Sequence, residues 1–302
     1  MSVKIQDVLI SDNTVYVYYP GSDILIYTVN MNPISTDNTY GFIRKGIINH
    51  LRTKSGLCAR VSDDILQGNR GSAAMIDYAM RESLYGEKDA RFMYGSVDAV
   101  RSRVRIIQNE LVRLAKKCLT TQGSFRLFEA GHGFIRTKIH LMRELEREGF
   151  DIECEKIVGC DINPDVVDVV RIIIGYENLH DIIQVYEGHA VDCLNGLGEK
   201  FDVGLAEGVF EYMDLRESRD LARAFHRSLA DNGLLIATAT HKIPKAAVAR
   251  LLDFYFEPRS EADFIEIFTR SRFEHPRLIK TDPPNISVGI ARKTARSGYG
   301  AS

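Results

Sequence analysis

The chain lacks the charge of a bare polyanion binder. Its 302 residues carry 39 Lys and Arg against 41 Asp and Glu, a formal charge of −2. No basic excess exists to neutralise phosphates. No apolar run approaches the ~18 residues needed to cross a bilayer, and the opening MSVKIQDVLISDN has no long apolar stretch of secretory type. The five cysteines, Cys58, Cys118, Cys154, Cys160 and Cys193, are scattered without a CxxC pair, which excludes a zinc ribbon and a disulfide framework as readings. Disorder is excluded by 45% hydrophobic residues and 26% charged residues of mixed sign. The expectation is a cytoplasmic globular protein with reduced thiols, without nucleic-acid or membrane partners. Its length suits one large domain or two.

The front third, residues 1–95, reads as an accessory region. VYVYY (15–19) and ILIYTVN (24–30) flank Pro20-Gly21-Ser22-Asp23 and predict a β-hairpin. Residues 50–95 predict helices punctuated by glycines. From Ser96 to Thr120, Val97, Val100, Val104, Ile107, Leu111, Leu114 and Cys118 alternate spacings of three and four, which predicts a connecting amphipathic helix. Its stripe suits a homodimer seam or a face packed on the following domain. Three heptads is the lower limit for a coiled coil, which favours packing.

Residues 121–294 read as a second domain. Apolar strands at 125–130, 156–161, 182–188, 201–207 and 234–240 alternate with helices near 134–148, from Pro164, and near 215–229. Such alternation predicts an α/β, doubly wound, Rossmann-like sheet, mostly parallel. After helices near 244–255 and 260–271, strands at 277–281 and 286–292 flank Asp282-Pro283-Pro284-Asn285. That link is too short for a parallel crossover, so the sheet should end in an antiparallel hairpin. Residues 295–302 read as a flexible tail.

Chemistry concentrates at three strand ends. Glu129-Ala130-Gly131-His132-Gly133 closes the first of these strands, at the switch point where doubly wound sheets bind ligands. Asp161 ends the second, where an acid can accept from both hydroxyls of a ribose. Gly188-His189-Ala190 ends the third. A dinucleotide fingerprint would place its third glycine where Arg136 stands, which argues against the first alternative, an NAD(P)-dependent oxidoreductase. An acid ahead of the glycine pair, with a terminal antiparallel hairpin, resembles the class I S-adenosylmethionine-dependent methyltransferases. EAGHG followed by FIR, and GVFEYMD after the fourth strand, also resemble a bacterial group of methyltransferases sometimes joined to hydrolase domains.

The resemblance implies S-adenosyl-L-methionine as cofactor. Glu129, Gly131 and Gly133 would hold its methionine and ribose, Asp161 its ribose, and His189 and Ala190 would flank adenine. The chain departs from the pattern at Ile135, where a third glycine is frequent, at His189, where an acid is frequent, and in the long gap from Gly133 to Asp161. His132 either lines the site or shapes the turn. Arg136 either pairs with the methionine carboxylate or is a surface arginine.

Glu207, Glu211 and Tyr212 follow the fourth strand and His241 the fifth, on the same rim. Glu207 is placed with the cofactor. Glu211 and Tyr212 would meet the acceptor, though Tyr212 also suits packing under the cofactor. His241 is a candidate general base or a solvated loop histidine. Asp282-Pro283-Pro284-Asn285 is similar to a motif of methyltransferases acting on base or amide nitrogens. There the motif follows strand four and ends in an aromatic; here it reads as a turn. No Asp/His cluster has metal-ligand spacing.

Eight of the 13 tyrosines lie in the first 94 residues. Tyr85 and Tyr94 suit an aromatic lid, and Tyr16, Tyr18 and Tyr27 suit strand packing. The reading is a methyltransferase acting on a small-molecule acceptor. A scaffold that kept the fold without catalysis is the second alternative.

Overall fold

A parallel strand covered by helices on both faces must be apolar along its whole length. FRLFEA comes near that condition: in β4 (Phe125–Ala130) only Arg126 is exposed, and Glu129 is the one charged residue inside. The computed structural model describes residues 7–11, 14–18, 25–27, 97–133, 135–152, 155–241 and 257–294. The chain divides into two units, residues 1–97 with 243–256, and residues 98–242 with 257–302.

In the first unit, β1 (Asp7–Ser11), β2 (Thr14–Tyr18) and β3 (Leu25–Tyr27) form an antiparallel sheet in that order. The expected hairpin is β2 with β3, Val17 opposite Leu25. β1 adds a strand that the sequence pattern did not reveal, with Ser11 opposite Thr14. The helices expected over 50–95 and 244–255, Tyr85 and Tyr94, and the tail 295–302 lie outside the described residues.

The second unit begins with α1 (Val97–Gln122). Val100, Val104, Ile107, Leu111 and Leu114 are buried within the single chain, so the stripe packs inward and is not bare for a homodimer seam. Then follow β4, α2 (Arg136–Arg147), β5 (Glu155–Asp161), α3 (Pro164–Tyr176), β6 (Ile183–Glu187), α4 (Ala190–Leu197) and β7 (Phe201–Ala206). A 3-10 turn (Phe210–Tyr212) leads to α5 (Leu215–Ser228) and β8 (Leu229–Thr240). The last described elements are α6 (Glu261–Arg270), β9 (Phe273–Lys280) and β10 (Ile286–Lys293).

The seven strands lie in the order β6-β5-β4-β7-β8-β10-β9. β4 to β8 run parallel. β10 is antiparallel to both β8 and β9, so it enters between two strands made before it. Asp282–Asn285 is the turn of the last hairpin, where the Asn285 N–H donates to Pro283 O at 2.8 Å.

Phe128 packs at 5.5 Å from Phe201 and 5.8 Å from Phe225, ring centre to ring centre. This aromatic knot joins β4, β7 and α5. α5 starts with a capping box: Asp214 accepts from the Glu217 N–H at 2.7 Å, and Glu217 accepts from the Asp214 N–H at 2.8 Å. Asp231-Asn232-Gly233, which falls between the helix expected near 215–229 and the strand expected at 234–240, lies inside β8. There the register slips between Phe201–Leu229 and Val203–Leu234, with Asn232 at φ 65°, as in a β-bulge. No helix among the described residues is long and apolar enough to cross a membrane.

Glu155 opens β5 at 4% exposure, and among the described residues neither carboxyl oxygen has a hydrogen-bond partner. Burial pushes its pKa up to about 8. The folded chain therefore holds this proton more tightly than the unfolded chain. The stability tied to it is fully present below the ordinary carboxylate range and is lost as pH rises through 8. Urea denaturation across pH 5 to 9 should show that loss. Glu155→Gln should flatten it by roughly 2–4 kcal/mol; an unchanged slope would contradict the assignment.

Candidate active site

Parallel packing brings the carboxyl ends of β4, β5, β6, β7 and β8 to one edge of the sheet. Gly131, Asp161, Gly188, Glu207 and His241 each follow or close one of these strands. The sequence-derived candidates therefore do share a rim, and each is placed on it by a strand end.

The glycine turn is held from below. The Gly131 N–H donates to Cys160 O at 2.7 Å, which ties the end of β4 to β5. Gly131 and Gly133 have φ of 63° and 50°, the left-handed region where a side chain is costly. A Cβ on Gly131 would stand 2.6 Å from Val209 Cγ2. Ile135, in the place of the family's frequent third glycine, has φ 43° and caps α2. Arg136 is the first residue of α2, and its side chain lies outside the described residues.

Two members of the turn differ from expectation. Glu129 is 2% exposed and forms a buried ion pair with Lys138 of α2. Its carboxylate is engaged by that ammonium inside the protein. Burial pushes its pKa up and Lys138 pulls it down. Lys138, which sequence reasoning missed, also donates to His132 O at 3.0 Å, so one ammonium fastens the acid and the turn together. His132 likewise points inward. Its Nδ1–H donates to Gly133 O at 2.8 Å. A Cβ on Gly159 would come within 2.9 Å of its ring, so bare backbone at Gly159 makes room for the imidazole. Burial, then Lys138, lowers its pKa, and the ring is neutral. His132 shapes the turn.

Asp161 is half-buried at the end of β5, with Oδ1 accepting from the Asn163 N–H at 3.0 Å. The Gly188 N–H donates to Asp161 O at 2.9 Å, linking the second strand end to the third. His189 is exposed and caps α4 through its backbone, while Ala190 is buried. The Cys160 thiol donates to Gly188 O at 3.0 Å and lies 2.7 Å from Cys193 Sγ. The fold thus joins two cysteines that looked scattered in the sequence.

Beyond β7, Glu207 forms an ion pair with Arg103 of α1, Nε to Oε1 at 3.2 Å. Its carboxylate is thus tied to α1. Glu211 is buried, and its Oε1 accepts from Thr238 at 3.1 Å and Thr240 at 3.4 Å. Burial raises its pKa, against the pull of Arg103. Tyr212 is 43% exposed on the same turn. Arg259 anchors this turn to α5, donating from Nη2 to Phe210 O at 3.0 Å, Ser218 Oγ at 2.9 Å and Met213 O.

His241 is not a free base. Its Nδ1–H donates to Arg259 O at 2.7 Å, and its Nε2 accepts from the Ser287 hydroxyl at 2.6 Å. Both nitrogens are engaged in fastening β8 to β10 and to the segment entering α6, so it is not a solvated loop residue.

No model of a known protein family matches the sequence, and no curated protein matches it. Solved structures do match in shape. A possible exported protein from Bordetella parapertussis is 16% identical over 84% of this chain and 88% of its own, with a TM-score of 0.62. Magnesium protoporphyrin IX methyltransferase from Synechocystis, with bound S-adenosylhomocysteine, is 14% identical over 73% of this chain and 93% of its own, TM-score 0.53. An O-methyltransferase family protein from Burkholderia thailandensis is 13% identical over 81% of this chain and 75% of its own, TM-score 0.51. The chain has the class I S-adenosylmethionine-dependent methyltransferase fold.

Proposed function

We propose that the protein is an S-adenosylmethionine-dependent methyltransferase acting on a small-molecule acceptor. The observation that carries this reading is the rim itself: a bare-backbone turn at Gly131 and Gly133, with a half-buried acid, Asp161, at the adjoining strand end. Residues of this chemistry fit the cofactor's parts. The turn leaves backbone open to the methionine and ribose, Asp161 can accept from both ribose hydroxyls, and His189 and Ala190 border the adenine end.

The bound cofactor supplies a methyl group on a sulfonium, already activated for transfer. The protein's task is to hold an acceptor atom in line with it, which supplies much of the acceleration in such reactions. The rim after β7 and β8, with Glu211 and Tyr212, borders that position.

Asp161→Ala should weaken S-adenosylhomocysteine binding by about ten-fold or more, the value of a hydrogen bond to a charged group. Isothermal titration would show it. Unchanged affinity would remove Asp161 from the ribose role. Tight NAD(P) binding by the wild type, without S-adenosylhomocysteine binding, would overturn the reading in favour of an oxidoreductase.

A further inference from the structure

Cys160 stands one residue before the end of β5 and serves three strand ends at once. Its carbonyl accepts from the Gly131 N–H at 2.7 Å and the His132 N–H at 3.3 Å, which anchors the glycine turn after β4. Its thiol donates to Gly188 O at 3.0 Å, which anchors the turn after β6. Its sulfur also meets Cys193 Sγ of α4 at 2.7 Å, across 33 positions of sequence. Both residues are free thiols. A thiol has one proton to donate. Cys160 directs its own to Gly188 O, so the Cys193 thiol is the donor between the two sulfurs.

The pair is built for a bond. Its sulfurs stand about 0.7 Å beyond the length of a disulfide, and α4 packs on β5, which holds them in place. Access is unequal. Cys160 is 1% exposed, whereas Cys193 is half-buried, so an oxidant from solution meets Cys193 first.

We propose that Cys160 and Cys193 form an oxidisable dithiol site, closed to a disulfide by a hydroperoxide, and that closure weakens cofactor binding at the rim. Only the second half rests on the proposed function. Cys193 Sγ attacks hydrogen peroxide, the O–O bond breaks, and a sulfenic acid and one water result. Cys160 Sγ then displaces the hydroxyl group from that sulfur. The S–S bond forms, and the Cys160 proton leaves with the hydroxyl as a second water. Two thiols are oxidised by two electrons in all, and the peroxide is reduced by the same two. The disulfide carries no proton, so Gly188 O loses its S–H donor. Closure also draws α4 toward β5. Gly188 feels that movement, since a Cβ on it would stand 3.5 Å from Cys193 Sγ. His189 and Ala190, which open α4, follow it.

The test uses the full chain, fully reduced and then treated with excess hydrogen peroxide. Trypsin cuts after Lys156, Arg171 and Lys200, so the two cysteines fall in separate peptides. Mass spectrometry should find these two peptides linked, and dithiothreitol should part them. Isothermal titration should show S-adenosylhomocysteine affinity falling by about three-fold or more on oxidation, the value of a lost hydrogen bond, and returning on reduction. Cys193→Ala, with Cys193→Ser as a second variant should the first fail to fold, should keep its affinity through the same treatment. Absence of the linked peptides in the wild type would overturn the inference. So would linkage that leaves affinity unchanged, or a loss of affinity that persists in the Cys193 variants. Linkage in a wild type that does not bind S-adenosylhomocysteine even when reduced would sink the methyltransferase reading and leave the dithiol site standing.

Discussion

Lys138→Met is expected to cost about 3–5 kcal/mol of stability, because it leaves the Glu129 carboxylate buried without its counter-charge. The pair is almost wholly enclosed, its side chains 3% exposed on each partner, so water cannot replace the ammonium. For a domain of this size the loss should lower Tm by roughly 6–20 °C. The turn would loosen as well, since the same ammonium holds His132 O. Glu129→Gln with Lys138→Met should recover most of the loss, as replacing both partners removes the unpaired charge. Thermal denaturation of the wild type, both single variants and the double variant measures the coupling directly. A Lys138→Met variant melting with the wild type would show that the pair does not hold the turn.

Gly131→Ala should be nearly as damaging, and through backbone. Its φ of 63° costs an L-residue about 1–2 kcal/mol. The new methyl would stand 2.6 Å from Val209 Cγ2, an overpacking of about 1–3 kcal/mol. Val209 sits on the segment that carries Glu207 and Glu211, so displacement there reaches both sides of the rim. S-adenosylhomocysteine affinity should fall by about ten-fold or more, by conversion of about 1.4 kcal/mol per decade. Adding Val209→Ala should restore the steric part alone, leaving the backbone part in place. Full affinity in Gly131→Ala would place the cofactor elsewhere.

The strands were legible because burial on two faces writes itself as largely apolar runs: FRLFEA, KIVGCD and FDVGLAE match β4, β5 and β7 within a residue. α4 was not, because AVDCLNGL spans only two turns and holds a glycine, too little for a helical period to emerge. The rim was legible from strand ends alone. Its wiring was not, because each connection joins residues whose nearness depends on the finished fold. Lys138 reaches Glu129 only because the turn reverses the chain between them. Arg103 reaches Glu207 across 104 positions of sequence. His241 looked like a base for the same reason: its partner Ser287 arrives on β10, 46 residues later. Glu129 shows the converse. The acid before the glycines marked the right turn while its side chain serves the interior.

β10 has a consequence for how the protein is made. Synthesis delivers β9 before β10, yet in the sheet β10 separates β9 from β8. On the ribosome β9 has no neighbour to join, and the growing edge at β8 stays open until β10 emerges. A chain stopped before Ile286 would lose two strands from the sheet, not one. It would also leave the twelve residues of β8 as a bare template for pairing with another chain. The order of delivery thus makes closure of the sheet depend on β10, because a copy cut short before it remains open at its edge.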